Sequence, residues 1–376
     1  MKAIILSTLT IGAFFIAGCG GSSPIIHIGS PVGPFVLTVN PASSSVASFK
    51  GDRNSGTISP DSSAKIGSAP SAVLIQSPST PQLNVFVTDS VANKLSLLNL
   101  DTQTGVLTDT GFSVPVGVNP VALGVLNGAT VATLVQPQFG FIYVLNQGSN
   151  NLSVFKITDM AGHLSAVPGS PFTTPANPQS IAVANNNTIF IYVAAGNQQV
   201  AGYQANADGS LTALPALGVP ATANISAVFF KFPFLYAADT ANSQILGFKV
   251  QSDGSLVSVG PGVSTGTQPG SMTTAFGSMI YVANSGSNNI SGYRQDAVTG
   301  ILTPLSGFPV GAGTTPVYLS TVDALHHLYA ANQGSSNLSA FTVDFNSGAL
   351  VPVPGSPFAM ATPPRGVETV FIMNVD

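Results

Sequence analysis

The chain has 376 residues, of which only 6% are charged and 44% apolar, with a mean hydropathy of +0.39, so it can bury one large core or two ordinary ones. Ten basic against 14 acidic side chains give a net charge of −4, which excludes the clustered basic footprint that nucleic-acid binding needs. Beyond the first twenty residues Gly, Pro, Asn or Ser cuts every apolar run within about ten residues, which excludes a membrane-spanning helix and leaves short buried strands.

The opening stretch MKAIILSTLTIGAFFIAGCGG joins Lys2 to an apolar run from Ala3 to Ala17, followed by small residues at Gly18 and Cys19. This is the pattern of a secretory signal. IAGC at 16–19 resembles a bacterial lipobox, and Cys19 is the only cysteine in the chain. Residues 1–18 are therefore expected to be a lipoprotein signal peptide, with Cys19 lipidated and the protein exported to the cell envelope. In a two-membrane cell Gly20 lacks the Asp that retains lipoproteins at the inner membrane, so the outer membrane is favoured. Without a second cysteine there is no intramolecular disulfide, and stability must come from packing. Residues 19–34, rich in Gly, Ser and Pro, read as a flexible tether in which His27 is inert.

From residue 35 onward the chain repeats itself. FIYVLNQGSNNLSVF (141–155), FLYAADTANSQILGF (234–248), IYVANSGSNNISGY (280–293) and HLYAANQGSSNLSAF (327–341) follow one plan, with a period of about 45–50 residues. Each unit has four short apolar runs. The first follows a Pro, as in PSAVLI at 70 and PVYLST at 316; the second is the YVAN run; the third is NISGY or its equivalent; the fourth follows a Gly, as in GILTPL at 300. Four antiparallel strands per unit make a propeller blade.

The third strand occurs seven times: VASFK (46–50), LSLLN (95–99), LSVFK (152–156), VAGYQ (200–204), ILGFK (245–249), ISGYR (290–294) and LSAFT (338–342). This predicts an all-β, seven-bladed β-propeller over 35–376. FVLTVN at 35–40 matches a second strand and PRGVETVFI at 364–372 a first strand, so the last blade should be closed by both termini, removing the exposed sheet edges.

Bulky third-strand aromatics (Phe49, Phe155, Tyr203, Phe248, Tyr293, Phe341) are expected in the wide outer gaps between blades, and small residues two places after the Pro (Ala72, Ala122, Ser180, Ser271) at the narrow inner end. NSGSNN, NQGSNN and NQGSSN become second-to-third turns in which Gly takes positive φ. Asp with a later Gly (Asp101 and Gly105, Asp208 and Gly209, Asp253 and Gly254, Asp296 and Gly300) marks the third-to-fourth turns. Each such turn offers too few oxygens for calcium. Lys50, Lys156, Lys249 and Arg294 sit on separate units and snorkel at strand ends.

YVAN, TG-x-L-T or DG-x-L-T, and the Pro before each first strand resemble the YVTN-repeat, lactonase-like family of seven-bladed propellers, which includes 6-phosphogluconolactonases and muconate-lactonizing enzymes. The resemblance covers essentially the whole mature chain. It implies a cluster of His, Arg and Glu at the mouth of the central channel, with one Arg in a G-P-R-H-like stretch. PPRG at 363–366 supplies Arg365, but Gly366 stands where the His would follow. Glu368, the only glutamate, lies three residues on, and strand alternation sets it on the opposite face from Arg365. His163, His326 and His327 fall in turns on the far side of the disc, and the adjacent pair point apart, so no metal site and no cofactor are expected.

Opening a lactone needs a base for water and donors for the oxyanion. Arg365 is the candidate for the second role and Asp89 for the first, with Asp239 an alternative. The residues closing the second strands, Asn40, Asp89, Asn146, Asp239, Asn284 and Asn332, with Gly196 as the exception, form a candidate ligand-binding ring around the mouth. The favoured expectation is an envelope-anchored, monomeric scaffold that binds a small polar ligand, glycan or protein at this rim. The alternative is a sugar-lactone hydrolase; an envelope location argues against a phosphorylated substrate.

Overall fold

The computed structural model describes residues 34–79, 82–126, 140–186, 188–196, 199–220, 222–322 and 325–370. The expected signal peptide, the lipidated Cys19 and nearly all of the tether lie outside the described residues.

Seven antiparallel sheets form the seven blades of a propeller. Blade 1 runs from Pro70–Ser79 to Leu107–Pro115. Blades 2 to 6 begin with Pro120–Leu126, Pro178–Asn186, Ile225–Lys231, Pro269–Ala275 and Pro316–Val322. Blade 7 combines Gly366–Val370 as its innermost strand with Phe35–Asn40, Ser45–Gly51 and Ile58–Lys65. Phe35 pairs with Val370 and Val39 with Gly366, so both ends of the described chain close the ring as the strand patterns require. The fourth strand of blade 5 is split into Leu302–Pro304 and Val310–Gly311, both paired to the third.

There is no single core. Seven apolar clusters each span two neighbouring blades: Leu37 packs with Val85, Phe86 with Ile142, Tyr143 with Ile191, Tyr192 with Leu235, Tyr236 with Ile280, Tyr281 with Leu328, and Tyr329 with Val36. Because both faces of each sheet meet a neighbour, second strands such as Met279–Asn284 are buried at every residue. A strand buried on both sides need not alternate, which accounts for the high mean hydropathy.

The Tyr143 hydroxyl is buried without a hydrogen bond, but at four of the seven seams the tyrosine of YVAN forms a lock. Its hydroxyl donates to a glycine carbonyl in the third-to-fourth turn of the next blade: Tyr192 to Gly254 (2.8 Å), Tyr236 to Gly300 (2.8 Å), Tyr281 to Gly348 (2.7 Å) and, across the closing seam, Tyr329 to Gly56 (3.0 Å). The residue two places before packs on that same glycine. A Cβ on Gly300 would lie 2.4 Å from the Phe234 ring, and one on Gly254 would lie 2.6 Å from the Phe190 ring. These glycines also have φ near +80°, so both the contact and the backbone demand glycine there. Third-strand tyrosines reach the other way, Tyr203 to the carbonyl of Thr173 and Tyr293 to that of Ser264.

In the second-to-third turns it is not the glycine that takes positive φ. The residue before the third strand does so: Asn93, Asn150, Asn288 and Ser336 have φ of 51–56°. Gly148, Gly286 and Gly334 are instead required by close approach, since a Cβ on Gly148 would lie 3.0 Å from the Val118 carbonyl. Asn93, Asn150 and Asn288 each accept the backbone N–H of the residue preceding the next blade's first Pro, at 2.9, 2.8 and 2.8 Å. The recurring asparagine is therefore a staple between blades.

Two measurements check this account. Gly300→Ala should cost about 1–3 kcal/mol from backbone strain, beyond the clash with Phe234, whereas Gly311→Ala, whose Cβ meets nothing within 4 Å, should leave the urea midpoint nearly unchanged. His327 occupies the place of Phe141, Phe190 and Phe234 and is 2% exposed, with Nδ1 lacking a hydrogen bond. Burial pushes its pKa below 6.5. The unfolded chain then binds the extra proton, so acidification through the ordinary histidine range lowers stability. His327→Phe should reduce the loss of Tm between pH 7.5 and pH 5.5; equal slopes in both proteins would contradict it.

Candidate functional site

The innermost strands surround an axial cavity of about 780 Å³, a size suited to a small molecule. Small side chains line much of it, and several join the blades: Ser71 donates to the Pro120 carbonyl (2.6 Å), Ser226 to that of Pro269 (2.6 Å), and Ser271 accepts the N–H of Leu319 (3.0 Å). Val73, Leu123, Ile181, Phe229 and Met272 add apolar wall between these hydroxyls and those of Thr273 and Thr321. The inner positions thus do more than fit a narrow space; their hydroxyls satisfy backbone edges that face a neighbouring blade.

One sector differs. Arg365 is exposed at the mouth, where Gln333 and Gln179 also line the cavity. Deeper in, Glu368 of blade 7 and Tyr318 of blade 6 face the lumen, Tyr318 with 40% of its surface exposed there. The two strands are tied together just below by the hydroxyls of Ser320 and Thr369, 2.8 Å apart, and Thr369 also donates to the Thr321 carbonyl (2.9 Å). Protein surrounds the lumen at this depth, and burial pushes the Glu368 carboxyl up to about 8. Burial, then the nearby Glu368 carboxylate, also pushes the Tyr318 phenol up. At neutral pH the sector therefore presents a protonated carboxyl beside a phenol, two neutral groups that each donate and accept hydrogen bonds.

Strand alternation set Arg365 and Glu368 on opposite faces, yet both line the cavity. The innermost strand turns its edge towards the axis and begins only at Gly366, so Arg365 lies outside the pleat. No ion pair joins them among the described residues.

Asp89 is fully buried in the turn that closes its strand. Burial alone would raise its pKa, but backbone N–H groups of Ala92, Ser68, Val91 and Ala69 outweigh it and hold the carboxyl below the usual range. Asp239 is likewise buried; the side chains of Asn242 and Gln244 and the N–H groups of Asn224 and Ala241 overcome its burial. Neither carboxylate faces the lumen as a free base.

The asparagines of the candidate ring are also turned inward. The amide of Asn146 donates to Asn151 (2.8 Å) and Ser153 (2.9 Å), that of Asn284 to Asn289 and Ser291 (2.9 Å each), that of Asn332 to Asn337 (2.8 Å) and Ser339 (2.9 Å), and that of Asn40 to Thr38. Gly117, Gly266 and Gly313 pass directly over Asn146, Asn284 and Asn332. Thr265 donates to Asn284 Oδ1 (3.0 Å). Val116 and Ala312 occupy the matching place at Asn146 and Asn332, whose Oδ1 atoms are buried without a hydrogen bond. In blade 3 the closing residue is Ala195, paired with Gln199, and Gly196 belongs to the turn.

The family model for "Lactonase, 7-bladed beta-propeller" matches residues 132–318. Over those 187 of its 376 residues the chain is similar to the lactonase-like seven-bladed propellers. Among solved structures, a candidate 6-phosphogluconolactonase of Bacteroides uniformis is 18% identical with a TM-score of 0.75, over 90% of this chain and 99% of that one. The periplasmic gluconolactonase PpgL of Pseudomonas aeruginosa is 18% identical with a TM-score of 0.72, over 91% of this chain and 99% of its own. AztD of Citrobacter koseri, in its apo form, is 11% identical with a TM-score of 0.56, over 91% of this chain and 99% of that one. Comparison with curated protein sequences gives no match. At these identities the structural likeness carries the fold and not the activity.

His163, His326 and His327 lie at the opposite end of the blades from Arg365, and no group of three or more His, Cys, Asp or Glu able to hold a metal occurs among the described residues. The Glu368 and Tyr318 pair was missed by sequence reasoning. A signal was present: Tyr318 breaks the rule of small residues two places after the Pro.

Asp89→Ala should lower the unfolding free energy by about 3 kcal/mol, as charge-assisted hydrogen bonds are lost. That stabilisation is present above the ordinary Asp value of 3.8 and is lost as pH falls through the lower folded value. Denaturant titration at pH 7 checks it; an unchanged midpoint would return Asp89 to the list of free carboxylates.

Proposed function

We propose that the protein is an exported lipoprotein, anchored at the cell envelope through Cys19, whose propeller binds a small neutral ligand rich in hydroxyl or carbonyl oxygens in its axial cavity. The observation that carries this reading is the Glu368 and Tyr318 pair facing a lumen lined otherwise by hydroxyl-bearing, small and apolar side chains. A protonated carboxyl and a phenol can each give and take a hydrogen bond, matching neutral sugars, sugar lactones and polyols. Arg365 at the mouth adds a donor for an incoming carbonyl oxygen. The binding ring moves with this proposal from the turn asparagines to the wall of the cavity.

Lactone hydrolysis is the second reading, favoured by the likeness to that family and by Arg365 beside a cavity that contains a carboxyl. The base would then be Glu368 in its ionised form, because Asp89 is committed to its turn. Such an enzyme would gain rate as pH rises through about 8.

Calorimetric titration with neutral sugar lactones and their reduced polyols, with lactone consumption followed above the spontaneous rate, separates the two. The binding reading expects affinity at pH 6.5 that weakens several-fold at pH 9, as Glu368 ionises, and a Glu368→Gln variant that binds equally at both pH values. Turnover that climbs towards pH 9 and vanishes in Glu368→Gln and Arg365→Ala would establish the hydrolase instead. Affinity indifferent to both Glu368→Gln and Tyr318→Phe would overturn the assignment to this cavity.

A further inference from the structure

The two ends of the disc differ in what they expose. Six of the exposed large apolar residues, Val106, Met160, Phe232, Val298, Ile301 and Phe345, lie in or beside first-to-second and third-to-fourth turns, at the end opposite Arg365. Phe232 is 62%, Phe345 60% and Val298 83% exposed. Among the described residues the Arg365 end exposes only Val91 and Val118 in this class. Around Phe345 the patch is built up: Phe276 packs edge-on against both His326 and Phe345, with ring centroids 4.5 and 5.0 Å apart, and Phe230 packs edge-on against Phe232.

The chain enters the propeller at this same end. Pro34 precedes the second strand Phe35–Asn40, whose far end, Asn40, lies at the Arg365 end; the Pro34 carbonyl accepts the N–H of Gly51, which opens a third-to-fourth turn. Fourteen residues, 20–33, rich in Gly, Ser and Pro, separate Pro34 from Cys19. A linker of that length and composition would have a root-mean-square span of roughly 20 Å, and the six-residue second strand adds roughly another 20 Å to reach the opposite end. A lipid at Cys19 would thus hold the apolar end close to the bilayer and the Arg365 end away from it.

We infer that the end carrying Phe232, Phe345 and Val298 docks on the lipid surface in which the anchor sits. The inference rests on the lipoprotein reading given above. Charge neither drives nor forbids it. Each third-to-fourth turn carries an aspartate, such as Asp253, Asp296 and Asp344, while Lys50, Lys156, Lys231, Lys249, Arg53 and Arg294 lie at the same end. Contact therefore comes from apolar tips entering the interface and depends little on anionic lipid. Docking in this direction leaves the Arg365 mouth open to the surrounding compartment.

The test uses the full-length lipidated protein in phosphatidylcholine vesicles containing brominated lipid. Lipidation occupies Cys19, so Phe345→Cys or Val118→Cys supplies a single reactive thiol for a bimane label. Both residues are exposed, 60% and 54%; Phe345→Cys gives up only surface ring contacts with Phe276 and His326 and leaves the buried clusters intact. The expected result is at least two-fold quenching of the label at position 345 and none at position 118, unchanged by adding phosphatidylglycerol. Quenching at 118, or at neither site, would overturn the inference, as would shielding at 345 in lipid-free detergent that grows with protein concentration and so marks a second copy. Mass spectrometry of the same sample reads the anchor separately. A diacylated or triacylated Cys19 with no quenching defeats docking alone, whereas an unmodified N-terminus defeats the lipoprotein reading and the inference with it.

Discussion

The contact on which the architecture depends is the one between a second-strand side chain and a left-handed glycine in the next blade. It occurs at all seven seams: Phe35 on Gly105, Asn84 on Gly162, Phe141 on Gly209, Phe190 on Gly254, Phe234 on Gly300, Met279 on Gly348 and His327 on Gly56. Because each blade buries its apolar faces only against its neighbours, one unit cannot be stable alone, and stability arises when the ring is complete. The closing seam is the demanding one. There Tyr329 and His327 of blade 6 reach Gly56 of blade 7, whose sheet is assembled from strands some 330 residues apart in sequence. No disulfide can fasten a chain with one cysteine, so packing and hydrogen bonds alone hold that join.

This arrangement explains why the fold was legible. A seven-fold demand for the same contact writes itself into sequence as a period, and the strand patterns at 35–40 and 364–372 revealed a split blade because the same demand applies there. The turn glycines were harder to interpret. Sequence shows that Gly148, Gly286 and Gly334 are needed, but close approach and positive φ both select glycine, and only the position of Val118 against Gly148 decides between them. The candidate ring misled for a related reason. Asparagine at the close of a second strand is equally what a ligand or a turn would require, and whether its amide points outward depends on Gly117, Gly266 and Gly313 lying over it, a contact that no local pattern encodes.

The cavity was the least legible part because its distinctive residues are departures from the repeat. Tyr318 stands where other blades have Ala, Ser or Gly, and Glu368 where blade 6 has Ser320. The two departures fall on neighbouring blades, so ring closure brings together residues fifty positions apart. A periodic analysis averages over such exceptions, although they are where a shared scaffold acquires an individual function.

The same logic bears on the choice between binding and hydrolysis. In the exposed third-to-fourth turns Asp253 and Asp296 accept hydrogen bonds from Ser255 and from Thr299, which hold their carboxyls below the usual range. Asp89 and Asp239 are held low as well, by several donors each, despite their burial. A carboxylate stabilised by so many donors is a weak base, and the repeat itself creates that condition wherever it uses aspartate to close a turn. Glu368 escapes because the innermost strand lies outside the turn system and its side chain has only the lumen before it, so desolvation dominates and favours the neutral acid. The propeller thus keeps its turn carboxylates charged and inert while raising the affinity for a proton of the one carboxyl that faces the cavity. At neutral pH that division suits a site that recognises neutral oxygens; hydrolysis would require the same carboxyl to give up its proton against the environment that retains it.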